Sequence, residues 1–450
     1  MRRWKTSIGG SAMVKKVWWT GVGALCSLLI VSGCGKDAGS DGAVEKVAES
    51  APVTLTLFAH GILRDQDFVD YIQEPIKKKY PNITIKKVDA DKQVTMENLI
   101  ATQDIPDFIW LGLTNIQQLT ELNVPVNLEP LVKKQQFDLQ RLDPQMVKSI
   151  RSYTKSGELI YLPFRSYAFG LHYNKSIFDK FGVEYPKNGM TWDQVIDLGR
   201  KVTRNENGIQ YRGLSAGTLL NRMQSQLSLP YVDAATDKAV VSSNEGWRRL
   251  FQMFQDIYGI PGNYPGGATF GDGAKAFLES RTLAMFPQLL LLNNLDLAKA
   301  ASEGFQWGVV SYPTFKDKPG AGPGIFSDGF VIPNGSKHPD EAFKVMAHLL
   351  SDEVQSMSSA KGNMTALAKT DIKNKLYAES PLSKGIDIGA LLAVGSADPH
   401  VKTVYDEKAR IIATKHLETF YTGKTDMNTA MRLADEEIAK MVAETKAAKK

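Results

Sequence analysis

The feature that most constrains this chain is a change of hydrophobic period that repeats between Val53 and Gly112. Val53-Thr54-Leu55-Thr56-Leu57-Phe58 alternates apolar and polar side chains, as a strand does, and the next stretch puts Phe68, Tyr71, Ile72 and Ile76 on one helical stripe. Pro81-Asn82 punctuates. Ile83 to Val88 then reads as a second strand, Met96 to Ala101 as a helix and Phe108 to Leu111 as a third strand. Strands alternating with helices predict an α/β fold with a mostly parallel sheet. In such sheets a ligand lies beyond the carboxyl ends of the strands, here Phe58-Ala59-His60-Gly61 and Trp110-Leu111-Gly112. Both ends set an aromatic residue beside a glycine that lets the backbone come close.

The body of about 400 residues exceeds the size at which one core stops growing, so two domains are expected; no internal repeat is found. The formal net charge is +5, but residues 1–33 hold Arg2, Arg3, Lys5, Lys15 and Lys16 and no acid. Removing them from the 54 basic residues leaves 49 against 49 acidic ones, a formally neutral body. A nucleic-acid binder would carry a basic excess there, and that class is set aside.

The chain has 2 cysteines, Cys26 and Cys34, so a disulfide framework is excluded for the body. Lys15-Lys16 precede an apolar run from Val17 to Val31, the pattern of a signal peptide and too short for a membrane span of about twenty residues. Val31-Ser32-Gly33-Cys34 resembles the lipobox of bacterial lipoproteins, whereas Cys26 follows Leu25 and lacks the small residue required. The expectation is a lipoprotein signal peptide over 1–33, two acyl chains on Cys34, and a disordered, lipidated tether over 34–52 that reaches roughly 60 Å. Met13 offers a second start site.

Gly157 to Val202 carries Tyr161, Pro163, Tyr173-Asn174-Lys175 and Thr191-Trp192 in an order that resembles the extracellular solute-binding proteins of bacterial ABC sugar importers, the group that includes maltose-binding protein. Phe270 to Phe286 is similar to a further segment of that family, with Ser280 where glycine is usual. Trp307 to Asp317 and Ser327 to Leu350 resemble its second and third crossings between domains. The resemblance implies a two-lobe, periplasmic-binding-protein-like fold of type II with a hinge and a cleft, lobe one over 52–165 and 310–337 and lobe two over 166–309 and 338–450. It also implies a monomer that carries a sugar or oligosaccharide to ABC permease subunits, without a cofactor or metal. The membrane anchor at Cys34 would hold it on the outer face of a Gram-positive cell membrane.

Sugar sites pair aromatic platforms with fixed donors and acceptors. Trp110 is then a platform or core, Phe58 a platform or a continuation of its strand, and His60 a ligand hydrogen-bond partner or filler. Arg165 and Tyr167 follow the hinge strand, where the family contacts its ligand; Arg165 can instead tie the hinge to a carboxylate. Asp328 can accept two sugar hydroxyls, and its neighbour Phe326 can be a second platform. Gln288 is expected to reach the cleft from lobe two, although Leu289 to Leu292 stand where the family often has tryptophan. Asp65 and Asp67 follow the first strand's loop, and helix capping explains Asp67 at least as well as a ligand contact.

The rival reading is a secreted serine hydrolase, because Gly213-Leu214-Ser215-Ala216-Gly217 fits the nucleophile elbow between a strand and a helix. Its strand is short and polar, which argues against it. Gly271 to Ala276 imitates a dinucleotide fingerprint but reads as structural. A third reading keeps the fold but makes the chain an interaction protein without transport; an intact cleft lining would separate the two.

Overall fold

The computed structural model describes residues 51–217, 220–264 and 271–448. Cys34, the signal segment and the tether up to residue 50 lie outside the described residues. Along the chain the strands are β1 (Val53–Ala59), β2 (Ile83–Asp89), β3 (Phe108–Gly112), β4 (Leu162–Ser166), β5 (Phe169–Asn174), β6 (Arg204–Glu206), β7 (Ile209–Leu214), β8 (Leu283–Leu289), β9 (Trp307–Ser311), β10 (Ala321–Gly322), β11 (Ser327–Val331), β12 (Met364–Thr365) and β13 (Gly395–Ser396). The first sheet has the order β12-β4-β11-β3-β1-β2 and the second β6-β7-β8-β5-β9, with β10 and β13 paired apart.

The expected mostly parallel sheet is mixed. β1 runs parallel to β2 and β3, whereas β11 is antiparallel to β3 and β4. β11 comes directly from the second sheet rather than through a crossover helix, so it enters the first sheet from the opposite end. The second sheet repeats this arrangement: β7 is parallel to β8, and β5 is antiparallel to β8 and β9. From Phe108 to Leu111 every side chain of β3 is buried, which is why that strand reads as an unbroken apolar run.

Each sheet has its own core, and the chain passes between them at Tyr167-Ala168 and across 312–326. The third passage differs from expectation. Ser327 to Leu350 does not cross: Phe330, Phe343, Met346, Leu349, Val354 and Ile372 all lie in the first sheet's core, and the second core resumes at Tyr405. The apolar face of helix Pro339–Leu349 finds its partner surface on the first sheet, and sequence similarity to a crossing does not reveal which sheet that is.

Helix ends follow local chemistry. Thr191 caps helix Trp192–Val202 in a capping box with Gln194, and Gly182 ends helix Lys175–Phe181 at φ +63°. At Gly61 the glycine serves the strand ends rather than a ligand, since a Cβ there would sit 3.3 Å from the Leu111 Cα. Among the described residues no helix is long and apolar enough to cross a membrane.

Candidate functional site

The two lobes face each other across a cleft of about 500 Å³ beside the first crossing. Lobe one supplies Ile62, Arg64, Asp67, Tyr71 and Asn363, the crossing supplies Arg165 and Tyr167, and lobe two supplies Leu289 to Leu291, Asn293 and Tyr377. The loop after β1 is held by the Trp110 indole, which donates to the Ile62 carbonyl at 3.2 Å. Arg64 then forks onto Asp67, both bonds 3.0 Å. This corrects the capping role of Asp67, because it is the third residue of helix Asp65–Phe68, whose N-cap is Arg64 and which has no side-chain cap. A π-turn at Val69–Gln73 follows, and within it Tyr71 lines the cleft.

At the crossing, Arg165 donates from Nε to Asp328 Oδ2 at 2.9 Å and from Nη1 to Asn363 Oδ1 at 2.9 Å, and its Nη2 lies 2.7 Å from the same Asp328 oxygen. The Tyr167 hydroxyl donates to that oxygen as well. Burial works against the Arg165 charge, but the Asp328 carboxylate more than offsets it and raises the guanidinium pKa. The Tyr167 pKa is pushed up by burial first and then by Asp328, so the phenol stays protonated and a donor.

The lobe-two wall leaves β8 at Leu289 and is tied down residue by residue. Leu290 N–H donates to the Ala168 carbonyl at 2.9 Å, Leu291 N–H to His172 Nε2 at 3.3 Å, and the Tyr377 hydroxyl to the Leu290 carbonyl at 3.0 Å. His172 is fully buried behind this wall, and burial pushes its pKa down to about 4. The folded protein holds it neutral and the unfolded chain protonates it below about 6.5. Stability from this group is therefore complete above pH 6.5 and is lost as pH falls toward 4, by about 3 kcal/mol. Urea unfolding at pH 7 and pH 4 is expected to show that loss, and His172→Gln to reduce it; an equal acid loss in the variant would assign the effect elsewhere.

Ile62 and Leu295, 87% and 77% exposed, are the most exposed large hydrophobic side chains among the described residues, and both line the cleft, one from each lobe. No group of three or more His, Cys, Asp or Glu that would hold a metal occurs among the described residues.

A family model described as bacterial extracellular solute-binding protein matches residues 65–356. The chain is a bacterial extracellular solute-binding protein. A diacetylchitobiose-binding protein, NgcE, of Streptomyces coelicolor is 20% identical over 349 residues, 74% of this chain and 72% of its own length. Among solved structures, the sugar-binding protein MalE from Xanthomonas citri superposes with a TM-score of 0.69 at 18% identity, covering 88% of this chain and 99% of that one. An ABC substrate-binding protein from Listeria monocytogenes in complex with cycloalternan gives 0.67 at 18%, covering 87% and 99%. The fold is the two-lobe type II arrangement.

Of the residues singled out from sequence, Arg165 and Tyr167 line the cleft of this solute-binding protein. Phe58 and Trp110, 0% and 1% exposed, do not: both sit in the first core, and Trp110 packs at 5.2 Å on Phe330 and 5.8 Å on Phe164. Their strands are central and covered on both faces, so alternation brings neither side chain to the surface. The His60 ring reaches Gln118 at 3.0 Å and stands outside the cleft lining. Asp328 is committed to Arg165 and Tyr167, and Phe326 packs on Phe169 at 5.6 Å. The Gln288 side chain accepts from the Leu289 N–H at 2.9 Å, also outside the cleft lining. Sequence reasoning placed Tyr71 only on an apolar helical stripe and missed Arg64, Asn293, Asn363 and Tyr377; no local period marks these four, because the fold gathers them from positions 64 to 377.

Ser215 is 1% exposed, and its Oγ accepts from the Gly217 N–H at 3.2 Å. A Cβ on Gly213 would lie 2.1 Å from the Gly199 carbonyl oxygen, and Gly217 has φ +92°. Strand-to-helix packing and a turn account for the motif, so it lends no support to the hydrolase reading.

Proposed function

We propose that this solute-binding protein captures a sugar or oligosaccharide in the cleft and delivers it to the permease subunits of an ABC importer. The observation that carries the reading is the cleft itself, where oriented donors and acceptors at Arg64, Arg165, Tyr167 and Asn363 stand beside the apolar Ile62, Leu291 and Leu295. A sugar offers the complementary pattern of hydroxyl rim and C–H face. The sugars named for the Streptomyces and Listeria proteins support it. In this reading lobe one comprises 52–166 and 327–373, lobe two comprises 169–311 and 376–448, and hinge bending at the crossings buries the ligand. The protein acts as a monomer and as a carrier rather than an enzyme. Lipid on Cys34 holds it on the outer face of the membrane of a Gram-positive cell.

A thermal-shift screen of mono- and oligosaccharides tests the reading. A ligand at 100 times its Kd is expected to stabilise by about 2.7 kcal/mol and to be recovered unchanged. A screen without a hit, or with turnover of the hit, would overturn it. Mass spectrometry of the mature N-terminus tests the anchor: diacylated Cys34 is expected, and an unmodified chain that starts elsewhere would sink that part alone.

A further inference from the structure

Three arginines are largely withdrawn from water near the lobe junction or in lobe two, and they are not treated alike. Arg165 is paired with Asp328, and Arg212 forks onto Asp272 at 2.7 and 3.2 Å. Among the described residues Arg222, on helix Leu220–Gln226 and partly buried, has no such partner. Its Nε and Nη1 are buried and have no hydrogen-bond partner among the described residues, and neither has the Oδ1 of the adjacent Asn221. The guanidinium lies 5.0 Å from the ring centre of Phe169 and 5.5 Å from that of Phe326. The groups whose charge reaches it are the hydroxyls of Tyr312 and Tyr167, not a carboxylate, and burial lowers its pKa.

Aromatic faces offset part of the cost of burying a cation, but they do not satisfy its N–H groups. An unpaired buried charge is a standing loss of stability, of the kind retained where a ligand completes the site. The position suits such a ligand. Phe169 begins the chain after the first crossing, Phe326 ends the second, and Tyr167, which lines the cleft, stands within electrostatic reach. Asn221 and Phe326 also line a cavity of about 40 Å³ with Thr114 of lobe one, Asp398, His400 and Lys402, whose Nζ lies 3.9 Å from Asp406 Oδ2; Arg222 stands beside this cavity's lining rather than in it. That volume suits one water rather than a sugar, so entry requires the lobes to part.

We propose that Arg222 and Asn221 form a subsite for an acidic sugar, a uronate whose carboxylate accepts from the guanidinium while a neighbouring hydroxyl donates to Asn221 Oδ1. The flat, forked guanidinium matches a planar carboxylate, whereas a neutral sugar would leave the charge without a counter-ion. The proposal rests on the carbohydrate reading and adds the charge of the ligand to it.

The test uses two series, glucose with glucuronate and glucose 6-phosphate, and galactose with galacturonate, measured by calorimetry on the wild-type chain and on Arg222→Met. A uronate is expected to bind at least tenfold more tightly than its neutral counterpart, and Arg222→Met to lose at least tenfold for the uronate and less than twofold for the neutral sugar. Equal or tighter binding of the neutral sugar, or of the phosphate, overturns the proposal while leaving the carbohydrate reading intact. The melting temperature of ligand-free Arg222→Met is read independently of any ligand. An unchanged or raised value supports a residue kept for its ligand; a lowered value makes Arg222 structural and overturns the proposal even if no sugar binds.

Discussion

Trp110→Ala is expected to lower the stability of the ligand-free protein by about 3–5 kcal/mol. The indole is 1% exposed and packs edge-on against Phe330 at 5.2 Å, with Phe164 at 5.8 Å. Truncation leaves a large void in the middle of the first sheet, where β1 and β11 flank β3 and limit collapse. It also frees the Ile62 carbonyl, which fixes the loop leading to Arg64, and removes the face over which the Arg165 guanidinium lies at 5.4 Å. Urea unfolding of the ligand-free variant measures the effect. Affinity lost with stability intact would return Trp110 to the ligand surface and refute the core assignment.

Asp328→Asn is expected to cost about 3–5 kcal/mol, because it leaves the Arg165 guanidinium largely buried without its counter-charge. Both side chains are 13% exposed, so water does little to compensate. The same substitution takes from Tyr167 the acceptor that orients its hydroxyl at the cleft, and ligand affinity should fall with stability. If the loss comes from the orphaned cation, Arg165→Met in the Asp328→Asn background should recover part of the stability but none of the affinity. Additive losses in the double variant would mean that the two residues act independently.

The elements and their order could be read without a structure. Alternation placed β1 and β2, an unbroken apolar run placed β3, and the segments from Gly157 to Val202 carried the family. These signals are local: a strand's period is written in neighbouring residues. Of the residues proposed to bind ligand, Arg165 and Tyr167 stand at the cleft because they adjoin a crossing that resemblance had marked. What the tertiary structure decided was which face of an element meets another. Trp110 and Phe58 ended in the core because strands on both sides and packing on both faces enclose β1 and β3, and helix Pro339–Leu349 joined lobe one because its apolar face fits there. Arg64, Asn363 and Tyr377 meet at the cleft only after three passages of the chain between the sheets. Composition and period describe each segment by itself; a site made by bringing segments together is set by which surfaces bury one another, and the sequence does not state that locally.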